Sequence, residues 1–411
     1  MDVEYPARAA LKRKRARRRS AQLTAQTKLV GCWLLAGIWT GCTKQPASAA
    51  PEVAAASEAE QNGAVAPSLA QKYAGLFPIG AAVNSRTLHT HAALLARHFS
   101  SITAENEMKF ESLEQTEGNF EYAAADEMVA FARTHGMKVR GHNLVWHRQT
   151  PDWVFSNGSA GAASKELLLA RLDEHIANVV GHFKGSVYAW DVVNEAIMDD
   201  GKYRTADERA PDQRSKWYGI LGSSYIAAAF RAAHAADPDA KLFYNEYRNY
   251  VPVKRQAVYE MLKQLLADGV PVHGVGLQAH LSIEPSPVPE NHGYYQDVVE
   301  EEKTIELFAS LGLEVQITEL DVSLYVPGVQ YEHSQFYTLL TPELEAKQAE
   351  RYRQFFELFR KHQDVITSVT LWGIADDETW LSHFASGRRD FPLLFDTQHQ
   401  PKQAFRRIVA F

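Results

Sequence analysis

The chain has 411 residues, 45% of them hydrophobic and 11% aromatic, and a formal net charge of −7. That is enough apolar material for one large core, and a single barrel domain of this size is as ordinary as two smaller domains. The negative balance excludes nucleic acid as a general partner, because proteins that bind phosphate backbones carry a basic surface.

In chain order, the first feature is the basic run Lys12-Arg-Lys-Arg-Ala-Arg-Arg-Arg19, followed by the apolar stretch Leu29-Val-Gly-Cys-Trp-Leu-Leu-Ala-Gly-Ile-Trp39. Together they read as the charged and apolar parts of an export signal, the apolar part being too short for a membrane span. The stretch ends in Trp39-Thr40-Gly41-Cys42, which resembles a bacterial lipoprotein signal with Cys42 as the lipidated residue. Trp39 departs from the usual aliphatic position, so cleavage without a lipid and an uncleaved anchor stay open. Residues 1–42 are therefore read as a signal, and 43–67, rich in Ala, Ser, Glu, Gln and Pro, as a disordered tether that cannot bury enough surface to offset ordering entropy. Residues 68–411 show no second composition break and read as one domain. Cys32 and Cys42, the chain's two cysteines, both precede it, which excludes a disulfide framework or a Cys-ligated metal there.

Within that domain short apolar runs alternate with longer amphipathic stretches. Strands are predicted over 77–83, 101–104, 138–144, 187–193, 241–244, 274–279, 314–318 and 368–371. Helices are predicted over 88–98, 123–135, 165–182, 224–236, 255–268, 299–311, 342–362 and 401–409. In 165–182 the apolar residues Leu167, Leu168, Ala170, Leu172, Ile176, Val179 and Val180 follow the helical period. Alternation of this kind predicts an α/β fold, a closed (β/α)8 TIM barrel. An open doubly wound sheet would show a glycine-rich phosphate turn after its first strand, and Gly80-Ala-Ala-Val-Asn84 is not one.

Polar residues gather where the predicted strands end. They are Glu105, Asn106 and Lys109; His142, Trp146, His147 and Gln149; Asn194 and Glu195; Asn245, Glu246 and Tyr247; Gln278 and His280; Glu319 and Asp321; and Trp372 and Asp376. In a barrel these ends converge on one face, where sites of this fold sit. Amides, carboxylates, histidine and lysine bond hydroxyls directionally, and Trp146, Trp372 and Trp380 offer flat faces for sugar rings. Glu195 and Glu319 each close an apolar run, an arrangement that suits glycoside cleavage by two acids across one bond. A zinc or binuclear site drawn from His142, His147, His280 and Asp321 is the competing enzyme reading. It lacks a His-x-His after the first strand, and no metal or other cofactor is expected.

At these positions Thr103-Ala-Glu-Asn-Glu-Met-Lys-Phe110, Arg140-Gly-His-Asn-Leu-Val-Trp-His147, Trp190-Asp-Val-Val-Asn-Glu195, Leu242-Phe-Tyr-Asn245, Gly276-Leu-Gln-Ala-His280 and Ile317-Thr-Glu-Leu-Asp321 resemble, in order, the strand-end motifs of glycoside hydrolase family 10, the endo-β-1,4-xylanases. The resemblance implies a retaining double displacement with Glu195 as acid/base and Glu319 as nucleophile. It further implies that Asn194 holds the sugar 2-hydroxyl and that His280 and Asp321 orient the nucleophile. Glu105, Asn106, Lys109, His142, Trp146, Gln149 and Gln278 correspond to glycone contacts, Trp372 and Trp380 to aromatic walls, and Tyr247 to the leaving-group side. Xylan or xylo-oligosaccharide is the implied substrate. A cellulose-like or mixed-linkage glucan, or a sugar-binding barrel without catalysis, is the alternative. Phe110 and Glu246 depart from the family's usual Trp and Asp, and the stretch 325–337 is expected to be loop packing rather than cleft wall. An exported location, outer-membrane, periplasmic or extracellular, follows from the N-terminal reading; oligomeric state does not follow from the sequence.

Overall fold

The computed structural model describes residues 68–411 apart from 160, 286–295, 328 and 384–387. The signal, Cys42 and the tether lie outside the described residues.

Among the described residues there are nine parallel strands: β1 Ile79–Val83, β2 Ser101–Ala104, β3 Lys138–Val145, β4 Val187–Asn194, β5 Lys241–Glu246, β6 Gly274–Leu277, β7 His280–Ser282, β8 Glu314–Ser323 and β9 Ile366–Leu371. Their order is β6-β5-β4-β3-β2-β1-β9-β8, and β8 returns to pair with β6, so the sheet closes into the expected (β/α)8 TIM barrel. β7 pairs only with β8 and continues the line of β6 beyond Ala279, whose φ of 58° interrupts the ladder. The strands are buried nearly end to end, which is why they read as continuous apolar runs instead of alternating ones.

Helices cover the barrel. The one at Lys165–His182 has the predicted bounds and is capped by Ser164, whose Oγ accepts from Leu167 N at 3.2 Å. Its buried stripe differs from the predicted one. Leu168, Leu172, Ile176, Val179 and Val180 are buried as expected, but Ala170 is exposed and the polar Arg171 and His175 sit inside. Arg171 accounts for its burial by donating to Glu117 and to the carbonyls of Trp153, Val154 and Ser156. Each fully buried aliphatic side chain on this face contributes about 1.5–3 kcal/mol. The predicted helix over 88–98 is two pieces, Thr87–Thr90 and Ala92–His98, broken at His91.

Beneath the C-terminal rim the barrel interior is polar. Arg140 pairs with Asp191 and Gln316 and lies over the Phe243 ring at 4.7 Å. Register places His142 directly beside Asp191, and its Nδ1 donates to Asp191 Oδ2 at 3.0 Å. Asn245 likewise sits level with Asn194 on one side and Gly276 on the other. A Cβ at Gly276 would lie 2.2 Å from Asn245 Oδ1, so only glycine leaves room for that amide.

Candidate active site

All strands run the same way, so their C-terminal ends form one rim around a cavity of about 820 Å³. Glu105, Asn106, Lys109, His142, Trp146, Asn194, Glu195, Tyr247, Gln278, His280, Glu319, Asp321, Trp372 and Trp380 all line it. Gln149 does not. It donates to Asn106 Oδ1 at 3.2 Å.

Glu195 follows directly on β4 with φ 58°, a left-handed conformation that costs a non-glycine residue on the order of 1–3 kcal/mol. The turn is held from both sides: Glu195 N donates to Asn245 O at 3.0 Å, and Arg204 Nε donates to Glu195 O at 2.9 Å. Its carboxyl accepts from Trp146 Nε1 on Oε2 and from Gln278 Nε2 on Oε1, each at 2.9 Å. Both donors are neutral, and each oxygen keeps a second lone pair on which a proton could sit.

Glu319 lies within β8, not at its end as the sequence reading has it, because pairing with β7 carries the strand on to Ser323. Strand alternation then points Glu319 and Asp321 to the same side. Glu319 Oε1 accepts from Asn245 Nδ2 at 2.8 Å, and Oε2 meets His280 Nε2 at 3.2 Å. The other nitrogen of His280 meets Asp321 Oδ2 at 3.0 Å, as their register partnership requires, and Trp380 Nε1 donates to the same oxygen at 2.8 Å. Burial alone would pull the His280 pKa down. The carboxylates of Asp321 and Glu319 outweigh it and raise the value to about 10, so His280 is an imidazolium donating on both nitrogens.

Two further groups complete the charge pattern. Lys109 is buried, donates to Asn106 Oδ1 at 3.2 Å and lies over the Trp146 ring at 4.9 Å. Burial lowers its pKa, against the pull of Glu319, Glu105 and Glu195. Asn194 Oδ1 is taken up by Asn245 Nδ2 at 2.9 Å and Gln278 Nε2 at 3.4 Å, which leaves its amide nitrogen to serve a ligand hydroxyl.

Some expectations need correction. Glu246 and Asp376 are buried structural anchors: Glu246 accepts from Tyr244 Oη and pairs with Lys254, and Asp376 pairs with Lys402. The stretch 325–337 does more than pack, since Tyr325, Val326, Pro327, Val329 and Tyr331 form part of the cavity wall. Of the four residues of the metal reading, His280 and Asp321 are bonded to each other, and among the described residues no cluster of three ligand atoms includes any of the four. Sequence reasoning passed over Arg204, which is buried and bonded to the Glu195 carbonyl, Tyr247 Oη and Gln213. It comes from an irregular loop, where periodicity gives no signal.

The Glycosyl hydrolase family 10 profile matches residues 68–411. The chain belongs to glycosyl hydrolase family 10. Its relatives include Endo-1,4-beta-xylanase B of Paenibacillus barcinonensis, 45% identical over 347 residues, covering 84% of this chain and 98% of the relative. They also include Endo-1,4-beta-xylanase of Geobacillus stearothermophilus, 45% identical over 345 residues with coverages of 84% and 98%. Among solved family 10 structures, xylanase XynB from Paenibacillus barcinonensis superposes with a TM-score of 0.76 at 45% identity, covering 84% of this chain and 98% of that one. A family 10 endoxylanase retrieved from a sugarcane soil metagenome gives 0.76 at 42% identity, with coverages of 84% and 98%.

Proposed function

We propose that this chain is an endo-1,4-β-xylanase that cleaves internal linkages of xylan or xylo-oligosaccharides with retention, Glu195 acting as acid/base and Glu319 as nucleophile. One observation carries the assignment. Of the glutamates Glu195 and Glu319 in the cavity, Glu319 touches the His280 imidazolium, while Glu195 touches neutral N–H groups.

The reaction follows from that asymmetry. Glu195 gives its proton to the glycosidic oxygen as Glu319 attacks the anomeric carbon, breaking the C–O bond and forming a glycosyl ester. Glu195, now a carboxylate, takes a proton from water, whose oxygen displaces Glu319 and restores the starting state. The Asn194 amide meets the 2-hydroxyl, while Glu105, Asn106, Lys109, His142, Trp146 and Gln278 bind the glycone side, with Gln149 steadying Asn106. Trp372 and Trp380 wall the sugar at the cleavage point, and Tyr247 faces the leaving group.

Glu195→Gln should lower xylan hydrolysis about 10²–10⁴-fold, and an aryl xylobioside with an acidic phenol, which needs no proton, should recover the first step as a burst. Glu319→Gln should lose more than about 10⁴-fold on both substrates. Comparable losses without a burst in the first variant would reverse or remove the assignment. For location, the basic and apolar N-terminal runs and Cys42 support export with a lipid tether at Cys42.

A further inference from the structure

Away from the cleft, three segments distant in sequence bring together a buried histidine, a carboxylate and a second histidine. His91 precedes the helix Ala92–His98, Asp377 lies in the loop after β9, and His399 lies in the turn before the last helix, Gln403–Val409. His91 Nε2 is 3.0 Å from Asp377 Oδ1, and His399 Nε2 is 3.3 Å from Asp377 Oδ2. The ligand-capable atoms of all three residues fall within 4.8 Å of one another. The turn that presents His399 holds it at φ 64°, a conformation uncommon for a residue other than glycine.

Thr90 Oγ1 lies 3.2 Å from Arg86 O and 2.8 Å from His91 Nδ1. A hydroxyl has one hydrogen: on His91 Nδ1 it leaves Nε2–H to donate to Asp377, and on Arg86 O it makes Nδ1 of His91 the donor. The lone pair of a neutral His91 is then on Nε2, aimed at a carboxylate oxygen. In that second arrangement two acceptors face each other and a positive charge belongs between them. Supplying it with protons on both histidines would set two imidazolium rings with centroids only 4.2 Å apart, one of them buried. One divalent cation held by both histidines and one oxygen of Asp377 satisfies the cluster. Tetrahedral zinc with bonds of about 2.0–2.2 Å places its ligand atoms about 3.3–3.6 Å apart, inside the 4.8 Å that spans the three ligand atoms here.

We propose that His91, Asp377 and His399 form a zinc site. The donor set, two imidazoles and a carboxylate, selects a borderline transition ion over calcium or magnesium. The Nδ1–H of His91 bonded to Thr90 is the outer-shell contact that fixes a metal-binding tautomer. A cavity of about 360 Å³, lined by His91, His399, Arg97 and Phe395, adjoins the cluster and supplies water for the fourth position. The ion clamps the loop after β9 and the C-terminal turn to the segment after β1, and takes no part in sugar cleavage.

The test uses the full chain carrying Cys32→Ser and Cys42→Ser, so that no thiolate competes. After chelator treatment, calorimetric titration with zinc chloride should show a saturable site, and the Tm should rise by a few degrees with zinc and not with calcium. His399→Ala should abolish that binding and that rise while leaving xylan hydrolysis unchanged. Thr90→Val should weaken zinc about 10–100-fold. His362→Ala, in the separate cluster with Glu302 and Glu306, should leave the site intact. Absence of saturable zinc binding would overturn the proposal, as would binding of the same stoichiometry and affinity in His399→Ala.

Discussion

At the scale of single residues, the two acids owe their difference to what they touch. Glu319 shares a hydrogen bond with an imidazolium and an amide, and Glu195 sits between an indole and an amide. This predicts a pH signature for His280. Its pKa is raised from 6.5 to about 10 on folding, so the stability it contributes is fully present below about pH 6.5 and is lost as pH climbs through 10. Melting temperatures of the wild type should therefore fall between about pH 7 and 10 more steeply than those of His280→Gln. Parallel slopes would remove the imidazolium from the account. The chemistry of these residues was legible early, because carboxylates, amides and indoles at strand ends are informative by type. Arg204 was not, since nothing in a loop sequence says that a guanidinium will be folded under the backbone of Glu195.

At the scale of elements, register decides which amide serves which acid. Asn245 on β5 stands between Asn194 and Gly276, which lets its amide reach Asn194 and Glu319 and accept from Thr318 Oγ1 at 2.7 Å. Gly276→Ala should push this amide aside. The expected result is at least a tenfold loss of kcat/KM with about 1–3 kcal/mol of destabilisation in urea melts. By contrast, Gly181 in the helix Lys165–His182 has nothing within 4 Å of an added Cβ, so Gly181→Ala should be neutral or stabilise by up to about 1 kcal/mol. Wild-type activity in the first variant would show that the amide is dispensable. Strand positions could be read from apolar runs, but their lengths could not. β8 runs on past Thr318 because a short partner, β7, pairs with its far end, and a pairing between segments distant in sequence leaves no mark on either alone. The stripe of the helix Lys165–His182 misled for a related reason: Arg171 and His175 look like solvent residues until Glu117 and Glu114 are found opposite them.

At the scale of the whole molecule, the family match and the single composition break coincide near residue 68. No helix among the described residues is long and apolar enough to cross a membrane. Cys42→Ser should shift the expressed protein from the membrane pellet to the soluble fraction with specific activity on xylan unchanged. Identical partitioning of variant and wild type would rule out a lipid at that residue. The order of apolar runs and amphipathic stretches determined the closed barrel, since alternation of buried strands with helices has few other packed solutions. Residue type at the strand ends determined the class of chemistry. Folding alone decided that Glu319 meets an imidazolium, that Gln149 supports the wall instead of forming it, and that His91, Asp377 and His399 meet at all. Each depends on distances between segments far apart along the chain, which only the closed barrel sets.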